Sequence, residues 1–345
     1  MKIGIISTAV PLVSGGGRFI CDWLHEKIVA AGHECETVFI PFVEEKPFIL
    51  PQMAAMRMWK LDAYFDRIIT IRPPAHLIPH PNKVIWFIHH LRGFYDLWDT
   101  EYCGVAHDTA GFAMRDAIRH ADNVGLSEAR HVFTNSKVVS ERLETFNCVK
   151  SEVLYPPVLH PETFSSGDYG DEIVSVCRIE HHKRQHLLIE ALALTRHPVR
   201  LRLSGRSMNA SYVSGLQARV VELGLSNRVT IDDRWVTEEE KAEMLRTSLA
   251  SAYVPFDEDS YGYPTIEAAH SRRSTLTVSD AGGVSEFVLH GKTGMVAEPK
   301  PIAVAEMMDR LFGDKKLAKR MGVAAEKRVA TLGIQWDNVI GKLLG

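Results

Sequence analysis

Three prolines, Pro156, Pro157 and Pro161, fall within residues 153–164 (VLYPPVLHPETF) and stop every hydrophobic periodicity that reaches them. Proline lacks the backbone N–H that helices and inner strands need, and it biases the residue before it toward extended geometry. The polar, glycine-containing segment SSGDYGD extends the interruption. A chain of 345 residues cut this way near its middle is expected to form two domains of the usual size, about 150 residues each.

The pattern on either side of the break is the same. Residues 2–7 (KIGIIS) read as a strand, and residues 17–31 set Ile20, Trp23, Leu24, Ile28 and Ala31 on one helical face, with Gly32 as its left-handed cap. Residues 35–40 (CETVFI) read as the next strand, which completes the opening unit of a doubly wound parallel sheet. Further apolar runs at 67–71, 83–89 and 131–134, with helical patterns between them, complete a Rossmann-like domain over residues 1–157. After the break, strands are expected at 173–177, 199–203, 228–231, 249–254 and 274–278. Helices are expected at 186–195, 212–223, 238–247 and 264–271, with another beginning near Gly283. They form a second α/β domain of the same type, residues 158–332. Helical stretches at 302–331 and 335–344 close the chain, and no repeat of 20 to 50 residues suggests a solenoid. Open α/β sheets bind ligands at the carboxyl ends of their strands, so the functional site is expected in a cleft facing both sheets.

With 40 Lys+Arg against 43 Asp+Glu and a formal net charge of −3, nothing draws the whole chain to nucleic acid or an anionic membrane. Any polyanion it binds is expected to be small and met locally. Five scattered cysteines without CxxC spacing fit reduced thiols, and the N-terminal apolar run breaks at Pro11 and the glycines, too short for a signal-peptide core. A cytoplasmic protein is the expectation. Met53, Met56, Met58 and Trp59, with Arg57 and Lys60, read as a core helix. A peripheral membrane contact at the inner face is the alternative.

Four constellations carry chemistry. Gly15, Gly16 and Gly17 lie between a strand and a helix, where glycines let backbone N–H groups approach a phosphate. Arg178 and Lys183 stand five residues apart across a strand-to-helix turn, so both cations can converge on one diphosphate. The neighbouring His181, His182 and His186 lack a fourth ligand for a metal. In DEDSYGYPTIE, Asp259 and Glu267 flank a turn at Gly262 and a helix opened by Pro264. Glu267 is expected in the first helical turn beside the cleft, and the pair suits vicinal sugar hydroxyls. A metal site of Asp257 and Asp259 is the rival. Residues 279–286 (SDAGGVSE) are a second glycine turn of the same kind.

Taken together, these residues resemble the retaining glycosyltransferases of family four, which have the GT-B fold, over nearly the whole chain. Arg178 with Lys183 matches the family's Arg-x4-Lys clamp, and Asp259-x7-Glu267 its Glu-x7-Glu motif. SDAGGVSEFVLHGKTGMV, FTNSKVV and the ending IQWDNVIGKLL also fit, the last resembling the family's C-terminal helix that crosses back onto the first domain. The chain departs from the pattern at Asp259, one methylene shorter than Glu, at Ser260 in place of a glycine, and at Cys177 where glycine often precedes the arginine.

The resemblance implies transfer of a sugar, with retention, from a nucleoside-diphosphate sugar (a UDP- or GDP-sugar) to a hydroxyl acceptor, with no metal and no cofactor. It implies His89, Asp259 and Glu267 as catalytic residues, and Gly15, Gly16, Gly17, Arg178 and Lys183 around the donor diphosphate. Gly205, Tyr261, Gly262, Tyr263, Pro264 and Thr265 are expected on the nucleotide or sugar with Glu267, and Arg92 and Tyr95 on the acceptor side. Arg184, one residue beyond Lys183, is expected to point away and to matter little. A nucleotide-sugar epimerase and a non-catalytic nucleotide-sugar-binding subunit are the alternatives.

Overall fold

Apolar runs that alternate with amphipathic segments become strands and helices in the computed structural model, which describes residues 1–9, 16–100 and 103–345. The chain divides into two compact units, Met1–Pro156 with Ile334–Gly345, and Pro157–Gly333.

The first unit runs β1 (Lys2–Ala9), α1 (Gly16–Ala30), β2 (Glu34–Pro41), α2 (Lys46–Met56), β3 (Arg67–Thr70), β4 (Lys83–Phe87), α3 (Thr109–Ser127), β5 (His131–Thr134), α4 (Lys137–Asn147) and β6 (Glu152–Val153). Its six strands are parallel in the order β2-β1-β3-β4-β5-β6. Residues 3–8 of β1 are buried without alternation, the mark of a strand covered on both faces. Asp108 and Ser136 start α3 and α4 by accepting the backbone N–H of Gly111 (2.7 Å) and Val139 (3.1 Å), each cap contributing about 1 kcal/mol. Met53 and Met56 of α2 are buried in the core.

The second unit runs β7 (Glu172–Val176), α5 (Gln185–Ala193), β8 (Arg200–Ser204), α6 (Ala210–Glu222), β9 (Val229–Asp232), α7 (Glu238–Thr247), β10 (Ala250–Ala252), α8 (Tyr263–His270), β11 (Thr275–Val278), α9 (Val284–Phe287), β12 (Gly294–Ala297), α10 (Pro301–Gly313) and α11 (Lys315–Thr331). Its strands are parallel in the order β12-β11-β10-β7-β8-β9. Chain direction along the sheet therefore reverses between β7 and β10. One difference from expectation has a local cause. The helical run expected over 302–331 is two helices, because the Asp314 carboxylate accepts the Leu317 N–H at 2.8 Å and starts a new one. The strands β6 and β12, two and four residues long, add to those expected.

The last helix, α12 (Trp336–Leu344), belongs to the first unit. It buries Trp336, Val339 and Leu343. Arg67 donates to the carbonyls of Leu343 (2.8 Å) and Gly345 (3.2 Å), a cation on a helix carboxyl end. Lys342 pairs with Glu152 at 2.9 Å. Both units are thus Rossmann-like α/β domains. No described helix is long and apolar enough to cross a membrane.

Candidate functional site

The switch point between β7 and β10 is where an open sheet leaves room at its carboxyl edge. The loop that leaves β7 carries Arg178 and then a short turn, 181–183, that brings Lys183 back over the strand ends. Lys183 is 7 % exposed, and its Nζ donates to Tyr253 Oη at 2.8 Å and to Glu258 Oε2. The Tyr253 hydroxyl donates to the same carboxylate oxygen at 2.8 Å. Burial alone would raise the Glu258 pKa, but the Lys183 charge and the bonds from Lys183 and Tyr253 hold it down at about 2. Burial and the neighbouring Glu258 carboxylate push the Tyr253 hydroxyl well above its ordinary range. Arg178 is exposed, and its guanidinium has no ion-pair partner among the described residues.

Backbone bonds lace the surrounding loops together. Phe256 N–H donates to His182 O (2.9 Å), Asp257 N–H to Asp280 O (2.9 Å), Glu258 N–H to Ala281 O (3.3 Å) and Gly283 N–H to Glu258 O (2.8 Å). Gly262, at φ +70°, and Gly282, at φ +61°, permit this approach. A Cβ would stand 2.3 Å from the Tyr253 ring in the first case and 2.4 Å from Glu258 O in the second. Gly205 follows β8 and donates its N–H to Asp232 O at 3.0 Å. Arg184 corrects the expectation of an idle side chain. Its backbone sits in the left-handed region at φ +53°, which turns the side chain inward onto Asp280, Val254 O and Pro255 O.

Glu267 is the fifth residue of α8, not part of its first turn. It is 3 % exposed, and Lys241 Nζ, which also meets Glu238 at 2.8 Å, donates to its Oε1 at 2.6 Å. Burial raises the Glu267 pKa against the opposing pull of Lys241. Compensation of the helix dipole is therefore not its role. Asp259 is half-buried in the loop before α8, Tyr263 and Pro264 are half-buried at its start, and Thr265 is fully buried. Tyr261 has its ring in the core against Phe287, centroids 6.3 Å apart, so only its backbone is available to a ligand. His181 stacks on His186 (5.5 Å), and His186 Nδ1 meets Tyr212 Oη at 3.1 Å.

In the first unit Gly16 and Gly17 open α1 instead of lying in a loop before it. Gly15 lies outside the described residues. His89 is half-buried just beyond β4, with Nδ1 on His90 O at 2.7 Å. Burial lowers its pKa to about 4, which makes it a neutral imidazole near pH 7. The adjacent His90 points the other way. It is 2 % exposed, packs its ring at a tilt against Tyr95 (centroids 4.2 Å apart) and meets Asn147 Oδ1 at 2.9 Å. The acceptor-side expectation fails at Tyr95, which is 2 % exposed and donates its hydroxyl to the buried Asp122 at 2.7 Å. Arg92 is bound by Asp96 through Nε (2.8 Å) and Nη2 (2.7 Å). Trp86, Phe94 and Trp98 are core residues. Glu258, Tyr253, Lys241 and Asp280 were not singled out. Each earns its place through a partner far along the chain, which no local pattern announces.

Residues 164–328 match the family model of glycosyl transferases group 1. Among curated proteins, D-inositol 3-phosphate glycosyltransferase of Jonesia denitrificans is 26 % identical over 185 residues, covering 51 % of this chain and 42 % of that protein. The alpha-1,3/1,6-mannosyltransferase ALG2 of Mus musculus is 30 % identical over 122 residues, covering 35 % and 29 %. The chain thus spans less than half the length of these relatives. Two solved structures share the fold over the whole chain. Sucrose-phosphate synthase of Thermosynechococcus elongatus has TM-score 0.79 at 17 % identity, covering 99 % of this chain and 98 % of that one. HepE of Anabaena, solved with UDP and glucose, has TM-score 0.73 at 16 % identity with the same coverage. The fold is accordingly GT-B.

Proposed function

We propose that this chain is a group 1 glycosyltransferase that moves a sugar, with retention and without a metal, from a nucleoside-diphosphate sugar to a hydroxyl acceptor. The observation that carries the reading is the placement of Arg178 and Lys183 at the β7/β10 switch point, inside the segment that matches the group 1 model. A departing diphosphate gains negative charge as the glycosidic bond breaks, and preorganised cations stabilise it. Arg178 is exposed there, and Lys183 is rigidly held. The amides of Gly15 to Gly17 add donors to the diphosphate. Glu267 accepts ribose hydroxyls, and Asp259 a hydroxyl of the transferred sugar. His89, neutral at working pH, hydrogen-bonds a sugar hydroxyl without adding charge. The leaving phosphate takes the acceptor proton in a same-face attack.

A UDP- or GDP-sugar is the proposed donor, and the UDP in the HepE structure supports a nucleotide sugar. A lipid-linked acceptor would bring Met58, 81 % exposed, and Trp59 to a membrane surface. Thermal shift against UDP, GDP, ADP and CDP and their sugars identifies the base, because a ligand at 100 times its Kd adds about 2.7 kcal/mol. The decisive variant is Lys183→Ala. Loss of a charge-assisted contact should lower kcat/KM by about 10- to 150-fold, and activity should survive EDTA. Unchanged kinetics in that variant would remove the clamp reading. Turnover of the nucleotide sugar without acceptor would favour an epimerase, and nucleotide-sugar binding with no product under any acceptor a silent subunit.

A further inference from the structure

Lys183 has three N–H donors, and two are committed within the protein, one to Tyr253 Oη and one to Glu258 Oε2. The Tyr253 hydroxyl closes the ring by donating to the same oxygen. Lysine and glutamate cancel in charge, and the tyrosine adds none. The carboxylate is not on a free arm, since the Glu258 N–H and carbonyl are both bonded to the loop after β11, to Ala281 and Gly283. An anion that reaches Lys183 finds one uncommitted N–H and a carboxylate already at contact distance.

We propose that Glu258 is an internal counter-ion that shares Lys183 with the donor diphosphate and so weakens the site's hold on a nucleoside diphosphate. The proposal rests on the diphosphate reading of Arg178 and Lys183. A cation already neutralised at contact distance offers a second anion less Coulomb energy, and like charges repel across a half-buried site where screening is weak. The consequence for catalysis is product release, a step that limits turnover in many enzymes. Glu258 keeps Lys183 placed for the leaving group while preventing the diphosphate from being trapped after transfer.

Glutamine separates this role from simple support, because its amide oxygen still accepts from Lys183 and Tyr253 while the charge is gone. The measurement is calorimetric titration of the full chain with inorganic pyrophosphate, which carries the charge without a base or sugar. The proteins are wild type, Glu258→Gln, Lys183→Ala and the double variant. The expected result is binding about ten-fold tighter in Glu258→Gln, with the gain absent when Lys183 is alanine. Equal or weaker binding in Glu258→Gln, while Lys183→Ala still weakens the wild type, overturns the counter-ion role and leaves Glu258 a support. Indifference of the wild type to Lys183→Ala removes the diphosphate reading itself, and the proposal with it. Should Glu258→Gln fail to fold, Glu258→Asp draws the carboxylate back by one methylene. A smaller gain in the same direction is then expected, and no gain overturns the proposal.

Discussion

The Arg184 guanidinium holds Asp280 with two N–H···O bonds, at 2.8 Å and 2.7 Å, and also donates to the carbonyls of Val254 (2.9 Å) and Pro255 (2.5 Å). One side chain therefore ties together the loops that leave β7, β10 and β11. Lys183 is the residue before it and Glu258 lies three beyond Pro255, so the placement of both residues depends on this joint. Its backbone carries the strain, because an L-residue at φ +53° costs about 1–2 kcal/mol.

Arg184→Ala should lower stability by about 1–3 kcal/mol, since Asp280 is 35 % exposed and water screens part of the pair. Arg184→Gly should lose about 1 kcal/mol less, because glycine accepts the left-handed backbone without strain. Urea unfolding of the three proteins orders them. Identical midpoints would reduce the pair to surface decoration.

Gly262→Ala should cost more than about 2 kcal/mol, combining a left-handed alanine with a Cβ 2.3 Å from the Tyr253 ring. Tyr253 must shift, and Lys183 loses its hydroxyl partner. Pyrophosphate affinity should therefore change along with the melting temperature, and an unaltered affinity would mean that the tyrosine does not organise the lysine.

Acid should destabilise each unit through a different carboxylate. Arg57 bonds Glu128 through both oxygens (2.7 and 2.8 Å), and the buried Lys83 adds a third bond at 3.0 Å. These partners, Arg57 first, hold Glu128 at about 2, as the Lys183 charge holds Glu258. A carboxylate whose folded pKa lies below its unfolded value adds stability above the ordinary carboxylate range, and loses it as pH falls toward the folded value. Stability should thus decline from about pH 5 toward about pH 2. Glu128→Gln and Glu258→Gln should each flatten that decline. Parallel acid curves for variants and wild type would refute the assignment.

Lys241→Met should behave in the opposite sense. It strands the Glu267 carboxylate, whose folded pKa is already raised by burial. A carboxylate with a raised folded pKa stabilises the fold below the unfolded value, and the benefit disappears as pH rises through the folded value. The loss should be about 3 kcal/mol at pH 8, where the stranded charge is fully felt, and smaller at pH 5. Lys241→Arg should restore most of it. A pH-independent loss would indicate packing rather than charge.

The alternation of apolar runs, the helix faces and the turn glycines were legible because each depends on backbone geometry within a dozen residues. That is why 131–134 and 238–247 appear as β5 and α7 with the expected bounds. The partners that define the site lie elsewhere in the chain. Lys183 meets Glu258 across 75 residues, Arg184 meets Asp280 across 96, and Lys241 meets Glu267 across 26. Side-chain pairing at such separations follows from how parallel strands stack and where their loops converge. Burial is likewise collective: Tyr95 looks like an acceptor-side residue in a string of letters, and becomes core only when α3 and the loop after β4 pack together.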